Sequence, residues 1–154
     1  MLKMKNITKL FLYLNLCLTL LACSKISPKG EIEVKDVTVE NFTKLNLKGD
    51  FKVFFAKGNQ NLVSVETYPN VYKNLDIEVE NGILTIEENR KTDQVDFYNI
   101  TIFGKNDLNE VSLSDKVEMN VSGQVKTPEF LLHLKGNSKF MGAIIAPKSK
   151  IEMA

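Results

Sequence analysis

Cysteine is scarce. The 154-residue chain has two, Cys17 and Cys23, and nothing after residue 23 carries a thiol. That excludes a disulfide, a CxxC redox pair and a cysteine metal site from the body of the protein. A domain of this size without cross-links must be held by its hydrophobic core. Tryptophan is absent, and His133 and Arg90 are the only residues of their kinds. A lone histidine makes neither a nucleophilic triad nor a histidine metal site. A lone arginine argues against phosphate handling or polyanion cleavage. No GxSxG, HExxH or phosphate-binding glycine loop occurs. No segment sustains helical periodicity. Long apolar runs are also missing: the longest, Leu10 to Leu21, is 12 residues broken by Asn15 and Thr19, against roughly 20 needed to span a bilayer.

That short run is informative in another way. Lys3, Lys5 and Lys9 form a basic region before it, and Leu20-Leu21-Ala22-Cys23 closes it. Length and flanks fit an export signal rather than a membrane span. The closing tetrapeptide has the form of a lipobox, in which a small residue precedes a cysteine whose thiol accepts diacylglycerol. Residues 1–22 are therefore expected to be a cleaved lipoprotein signal peptide, with Cys23 the lipidated (palmitate-bearing) terminus. Several acyl chains, each buried methylene contributing about 0.8 kcal/mol, give stable anchoring. Residues 23–36, with Ser24, Lys25, Ser27, Pro28, Lys29 and Gly30, are expected to form the tether. The cell envelope, on the outer membrane, is the expected address, reached through the lipid anchor. Cleavage also changes the charge. The 20 basic residues lose those three lysines and face 19 acids, a balance of −2, which gives no footprint for nucleic acid.

Beyond the tether the recurring signal is alternation, the mark of half-buried strands. It runs through Leu45 and Leu47, then Phe51 to Phe55, then Leu62 to Thr67. Gly49-Asp50 between the first two predicts a two-residue hairpin. Tyr68-Pro69-Asn70 ends the third run, and Val71 to Asn74 can form one helical turn. Leu75, Ile77 and Val79 alternate with acids up to Asn81-Gly82, and Ile83 to Glu87 follows. Asn-Gly accepts positive φ at both turn positions, so a type I′ hairpin is predicted. Glu88 to Gln94 is polar and loop-like, and Val95 to Phe103 returns to strand with Ile100 and Ile102 as core.

From residue 108 a repeat of 21 residues emerges. Val111-Ser112-Leu113 recurs as Leu132-His133-Leu134, Met119 as Phe140, Phe130 as Ile151 and Leu132 as Met153. Polar turns, Ser114-Asp115-Lys116 and Gly136-Asn137-Ser138, fall between. Such spacing suggests stacked rungs of a β-solenoid, with a plain antiparallel meander as the alternative. The expected class is all-β: hairpins leading into a right-handed β-helix whose carboxyl end has no cap and looks truncated. An uncapped edge is expected to self-associate through residues 130–154.

An ordered series of segments carries a family resemblance. Phe42-x-x-Leu45-x-Leu47, Gly49-Asp50-Phe51-x-Val53, Lys57-Gly58, Val63-x-Val65-Glu66, Val79-Glu80-Asn81-Gly82-Ile83-Leu84-Thr85-Ile86 and Leu108-x-x-Val111-x-Leu113 together resemble the Bacteroidetes family "putative auto-transporter adhesin, head GIN domain" over residues 37–154. The resemblance implies β-helical rungs, export, frequent lipid anchoring and no established activity. Family members usually carry Gly-Ser-Gly-like turns and continue for more rungs; here Ser114-Asp115-Lys116 and Gly136-Asn137-Ser138 stand at the turns. The 37–154 region is therefore expected to be an incomplete head GIN-like β domain.

Candidate site residues are few. The carboxylates Asp93 and Asp96 share a loop, and Asp107 and Asp115 bracket a rung, but no pair has the 5–9.5 Å spacing that glycoside hydrolysis needs written into its sequence. His133, alternating with Leu132 and Leu134, points away from the core. Tyr68, Tyr72, Tyr98 and Phe103 could line a glycan-binding face, although aromatics in alternating strands usually pack inward. Cys23 is thus the single site residue assigned. An enzyme, a cofactor and a metal are not expected. The expected function is an adhesin-like binding module for a glycan or protein ligand; the alternative is a structural or envelope-assembly component that recognises no external ligand.

Overall fold

The computed structural model of the protein describes residues 24–154; the expected signal peptide, residues 1–22, and Cys23 lie outside the described residues. The all-β expectation holds. Twelve strands form: β1 Glu33–Thr38, β2 Lys44–Gly49, β3 Lys52–Lys57, β4 Leu62–Thr67, β5 Leu75–Glu80, β6 Ile83–Glu88, β7 Asn99–Gly104, β8 Glu110–Asp115, β9 Glu118–Lys126, β10 Glu129–Leu134, β11 Lys139–Ile145 and β12 Lys148–Met153. A single helical turn, α1 Pro69–Tyr72, joins β4 to β5, with Pro at its first position and Val71 fully buried. Of residues 23–36, Ile26 bridges Thr92 and the stretch from Glu33 pairs as β1 with β4.

The strands form two open, mostly parallel six-stranded sheets. The first has the order β1-β4-β7-β3-β9-β11 and the second β12-β10-β8-β2-β6-β5. From β8 onward the chain alternates between them. Inward residues therefore stack in register across the sheets. Leu84, Leu45, Val111, Leu132 and Ile151 form one ladder in the second sheet. Ile100, Val53, Met119 and Phe140 form another in the first. The core lies where these ladders face each other, and Leu45, Leu84, Val53 and Ile100 are wholly buried.

Gly49-Asp50 does not make the hairpin its sequence predicts. It is a corner: β2 enters the second sheet and β3 the first. Neither strand has an edge to offer the other, because β2 lies between β6 and β8 and β3 between β7 and β9. Phe51, which a two-residue loop would leave in solvent, is buried instead. The 21-residue repeat also needs correction. It holds from Val111 to Leu132, Leu113 to Leu134 and Met119 to Phe140. In the last step Leu132 pairs with Ile151 and Leu134 with Met153, a spacing of 19, and Phe130 meets Ser149. The loss occurs within β11, where Met141 pairs with Asn120 but Ala143 pairs with Gln124. Val121-Ser122-Gly123 bulges against the single Gly142, and a Cβ at Gly142 would lie 2.8 Å from the Val121 Cβ.

The Asn81-Gly82 turn is the predicted type I′ hairpin: φ is 52° at Asn81 and 76° at Gly82, and Glu80 faces Ile83. Nothing lies within 4 Å of a Cβ built on Gly82, so a substitution there reports backbone strain alone. Gly82→Val should destabilise residues 24–154 by about 1–2 kcal/mol, and Gly82→Asn by markedly less. Urea midpoints measure both; equal midpoints for all three proteins would contradict the assigned turn.

Candidate functional site

Parallel stacking places the corners of successive strand pairs one above another. Gly49 pairs with Asp115. The Lys116 amide donates to the Gly49 carbonyl at 2.9 Å, and the Asn137 amide to the Asp115 carbonyl at 2.7 Å. Asp115 and Gly136 both have positive φ, 64° and 72°. Gly49 is fixed by crowding, since a Cβ would fall 2.5 Å from the Phe51 ring and 2.8 Å from Glu88 Cγ. This column of turns is where the sequence carries Ser114-Asp115-Lys116 and Gly136-Asn137-Ser138.

Beside the column, the outer face of the first sheet carries the in-register row Glu66, Asn99, Lys52, Glu118 and Lys139. Four of its five members pair along the row: Asn99 Nδ2 donates to Glu66 Oε2 at 3.0 Å, and Lys139 Nζ to Glu118 Oε1 at 2.6 Å. Across the corner Lys116 Nζ reaches Asp50 Oδ2 at 2.9 Å. Between this row, the turns and the loop before β7 lies an open groove of about 660 Å³, lined among others by Asp50, Lys52, Asp96, Asn99, Lys116 and Lys139. A second hollow of about 370 Å³ shares Asp50, Lys116 and Asn137 with it and extends to Glu88, Lys91 and Thr92. Phe97, between the groove residues Asp96 and Tyr98, is 48% exposed.

Glu88, at the end of β6, fastens this corner from beneath. Its Oε2 accepts the Asp50 amide at 2.9 Å, and its Oε1 accepts the Thr92 hydroxyl at 3.0 Å. Partial burial raises its pKa above the ordinary carboxyl value, the Thr92 and Asp50 amide bonds oppose that rise, and the Asp50 charge adds to it. The Tyr98 hydroxyl lies within reach of this carboxylate but makes no hydrogen bond of good geometry, and burial pushes its pKa far above the ordinary phenol.

The residues singled out from sequence are dispersed. Cys23 lies outside the described residues. His133 points off the core as expected, its Nδ1 2.8 Å from Glu152 Oε2. Tyr98 cannot serve a binding face: it is 4% exposed and packs against Phe51 with ring centroids 5.4 Å apart. Tyr68 and Tyr72 also pack on the core, and Phe103 is half-buried. Asp93 approaches Lys25 at 3.8 Å. Asp107 pairs with Lys57, whose ammonium holds that carboxyl below the usual range. Asp96 lines the larger groove and Asp115 the smaller. Among the described residues no group of three His, Cys, Asp or Glu could hold a metal ion. Sequence reasoning missed Glu88, which opens the polar loop-like stretch that no periodicity marks.

Residues 41–154 match the family described as "Putative auto-transporter adhesin, head GIN domain". The chain belongs to that family. Among curated proteins, none matches the chain. Of solved structures, a putative adhesin from Bacteroides fragilis is similar with a TM-score of 0.76 at 15% identity, covering 83% of this chain and 61% of that one. A putative lipid binding protein from Parabacteroides distasonis follows at 0.66 and 19%, covering 83% and 63%. A putative adhesin from Parabacteroides merdae gives 0.62 and 16%, covering 84% and 61%. This chain thus spans less than two thirds of the length of each, and at these identities the likeness is one of fold.

The raised pKa of Glu88 has a testable consequence. A carboxyl whose folded pKa exceeds its unfolded value binds the extra proton only when folded, so stability falls as pH rises from 4.5 through the folded pKa. Glu88→Gln keeps an oxygen for the Asp50 amide and cannot ionise. Urea midpoints followed from pH 4 to pH 7 should fall less for Glu88→Gln than for the unmodified protein. Parallel curves would show that Glu88 does not titrate as its burial demands.

Proposed function

We propose that the protein is a non-catalytic, extracytoplasmic binding module, tethered to the outer membrane by lipid on Cys23, and that its ligand lies along the corner groove. The observation that carries this reading is the groove itself: a trough of about 660 Å³ whose wall is set by hydrogen-bonded turns. Side chains on such a wall are held by the backbone beneath them, so binding incurs little ordering cost. Membership in a family described as adhesins supports a binding role. The lining suits a polyhydroxylated ligand. Along its strand row Asn99, Lys52, Glu118 and Lys139 follow one another, an amide and charges of both signs that can hydrogen-bond hydroxyl groups. We also infer that the two sheets are the flattened walls of a right-handed β-solenoid. The connection β8–β9–β10 returns to a parallel neighbour in the same sheet, and such crossovers are right-handed in about 98% of cases.

Two measurements test the proposal. Residues 24–154 contain every described strand and the whole described core, and can be applied to a glycan array. At least one glycan should be retained, and Asp96→Ala, an exposed groove position, should lower that affinity about tenfold, within the usual worth of a hydrogen bond to a charged group. Retention of no glycan, or equal retention by Asp96→Ala, would overturn the groove assignment. Separately, intact-mass analysis of the protein extracted from membranes should find Cys23 as the terminal residue, carrying diacylglycerol. Cys23→Ala should leave the precursor unlipidated. An unmodified terminus at another residue would rule out the anchor.

A further inference from the structure

Residues 24–30, expected to be a loose tether, are fastened to the body. The Ile26 amide donates to the Lys91 carbonyl at 2.9 Å, and the Asp93 amide donates to the Ile26 carbonyl at 2.9 Å. The Lys29 amide donates to Asn70 Oδ1 at 2.9 Å, and Asn70 Nδ2 donates back to the Ser27 carbonyl at 2.8 Å. The Ile26 side chain packs on the core. The segment is thus a strap, held at one point by the loop after β6 and at another by α1. Asn74, buried just past α1, ties the same loop: its Oδ1 accepts the Arg90 amide at 3.0 Å, and its Nδ2 donates to the Arg90 carbonyl at 2.6 Å.

Three short stretches, 24–30, 70–74 and 89–93, are joined in this way into one platform. They carry Lys25, Lys29, Lys73, Arg90 and Lys91, all exposed, and a single acid, Asp93. Elsewhere in residues 24–154 acids outnumber bases, so the net charge conceals a cationic end. Lys25 lies 3.8 Å from Asp93. Among the described residues the other four cations make no ion pair, whereas Lys44, Lys48, Lys57, Lys116 and Lys139 each hold a carboxylate. The charge of the platform is therefore left for something outside the domain.

Its place in the chain says what that is. Ile26 is three residues from Cys23, a reach of about 11 Å when fully extended, little more than the Debye length of about 8 Å at physiological salt. With lipid on Cys23 the strap leaves no slack for the platform to stand away from the bilayer. We propose that this platform is the membrane-facing surface of the protein, and that its lysines and Arg90 engage the phosphates of anionic lipid headgroups. Arg90 supplies a planar fork that matches phosphate oxygens, and acyl chains and a basic patch act together as two anchoring signals. The orientation rests on the lipidation of Cys23 proposed above; the affinity of the platform for anionic lipid does not.

Residues 24–154, which lack Cys23, separate the two. At low ionic strength they should co-sediment with vesicles of about one part phosphatidylglycerol to two parts phosphatidylcholine, and not with phosphatidylcholine alone. Salt at about 0.5 M should release them. Arg90→Glu/Lys91→Glu should lower the partition coefficient about tenfold or more, with circular dichroism showing the fold retained. Lys105→Glu/Lys126→Glu reverses the same charge at exposed positions by the far ends of β7 and β9, and should lower it no more than about twofold. Failure to bind the anionic vesicles, equal binding to the neutral ones, or equal losses in the two double variants would overturn the proposal. The intact mass of the membrane-extracted protein decides the anchor independently of each of these results.

Discussion

The strands in the middle of each sheet spend both edges on parallel partners. β2 is held between β6 and β8, β3 between β7 and β9, and β8 between β2 and β10. A parallel neighbour cannot be reached by a hairpin. The chain must therefore leave its sheet at the end of nearly every strand and enter the other one. Once it does so, the two sheets are joined at short corners, and their inward faces are brought together without a long connection. Register follows. A slip of one residue in any parallel strand would turn its apolar set outward, and Leu45 and Leu47 would lose both the residues beside them and those across the core. The three antiparallel pairings, β1 with β4, β4 with β7 and β5 with β6, fall at the other end of the stack. There a strand needs a neighbour on its outer side, and a hairpin or a return strand supplies it.

The corners inherit the stacking. Each turn donates an amide to a carbonyl of the turn beside it, so the polar positions at Asp50, Lys116 and Asn137 become a straight wall rather than three unrelated loops. Opposed charges can sit along that wall at strand spacing, and the Asp50–Lys116 and Glu118–Lys139 pairs do so. Being exposed, such pairs add little to stability. Glu88 differs because its half-buried carboxylate reaches under the corner to accept the Asp50 amide. The raised pKa at Glu88 is thus a consequence of how the corner is closed.

Local features were legible in the sequence where a short segment settles them. Asn81-Gly82 fixes its turn by φ alone, and Tyr68-Pro69-Asn70 stops β4 for reasons internal to three residues. Alternation placed Ile100 and Ile102 in the core, and both are fully buried. Gly49-Asp50 shows where such reasoning ends. Two alternating runs joined by two residues have the same pattern whether they fold back edge to edge or turn a corner face to face; the partners β6, β8, β7 and β9 decide, and they lie up to 66 residues away, as in Lys48↔Ser114 and Phe54↔Asn120. The repeat was found, but its last step was misplaced because the bulge at Val121-Ser122-Gly123 shortens the spacing within a strand. The groove was not legible at all. Its residues come from four separate stretches, around Asp50, Asp96, Lys116 and Ser138, and Glu88 differs from its polar neighbours only in the amide geometry around Asp50.

Asp115 separates what the fold requires from what it permits. Its column partners Gly49 and Gly136 are glycines, and Gly136 has almost the same positive φ. Glycine would adopt that conformation without the strain an L-residue bears there, while aspartate tolerates it better than most. The ladder asks only for the backbone conformation. The aspartate side chain is additional: it stands outside the core and lines the smaller hollow beside Lys116 and Asn137. The inward residues are fixed by register, and the corner residues are fixed only in φ. Chains with the same stacked sheets can therefore carry different side chains along the wall without disturbing the ladders beneath it.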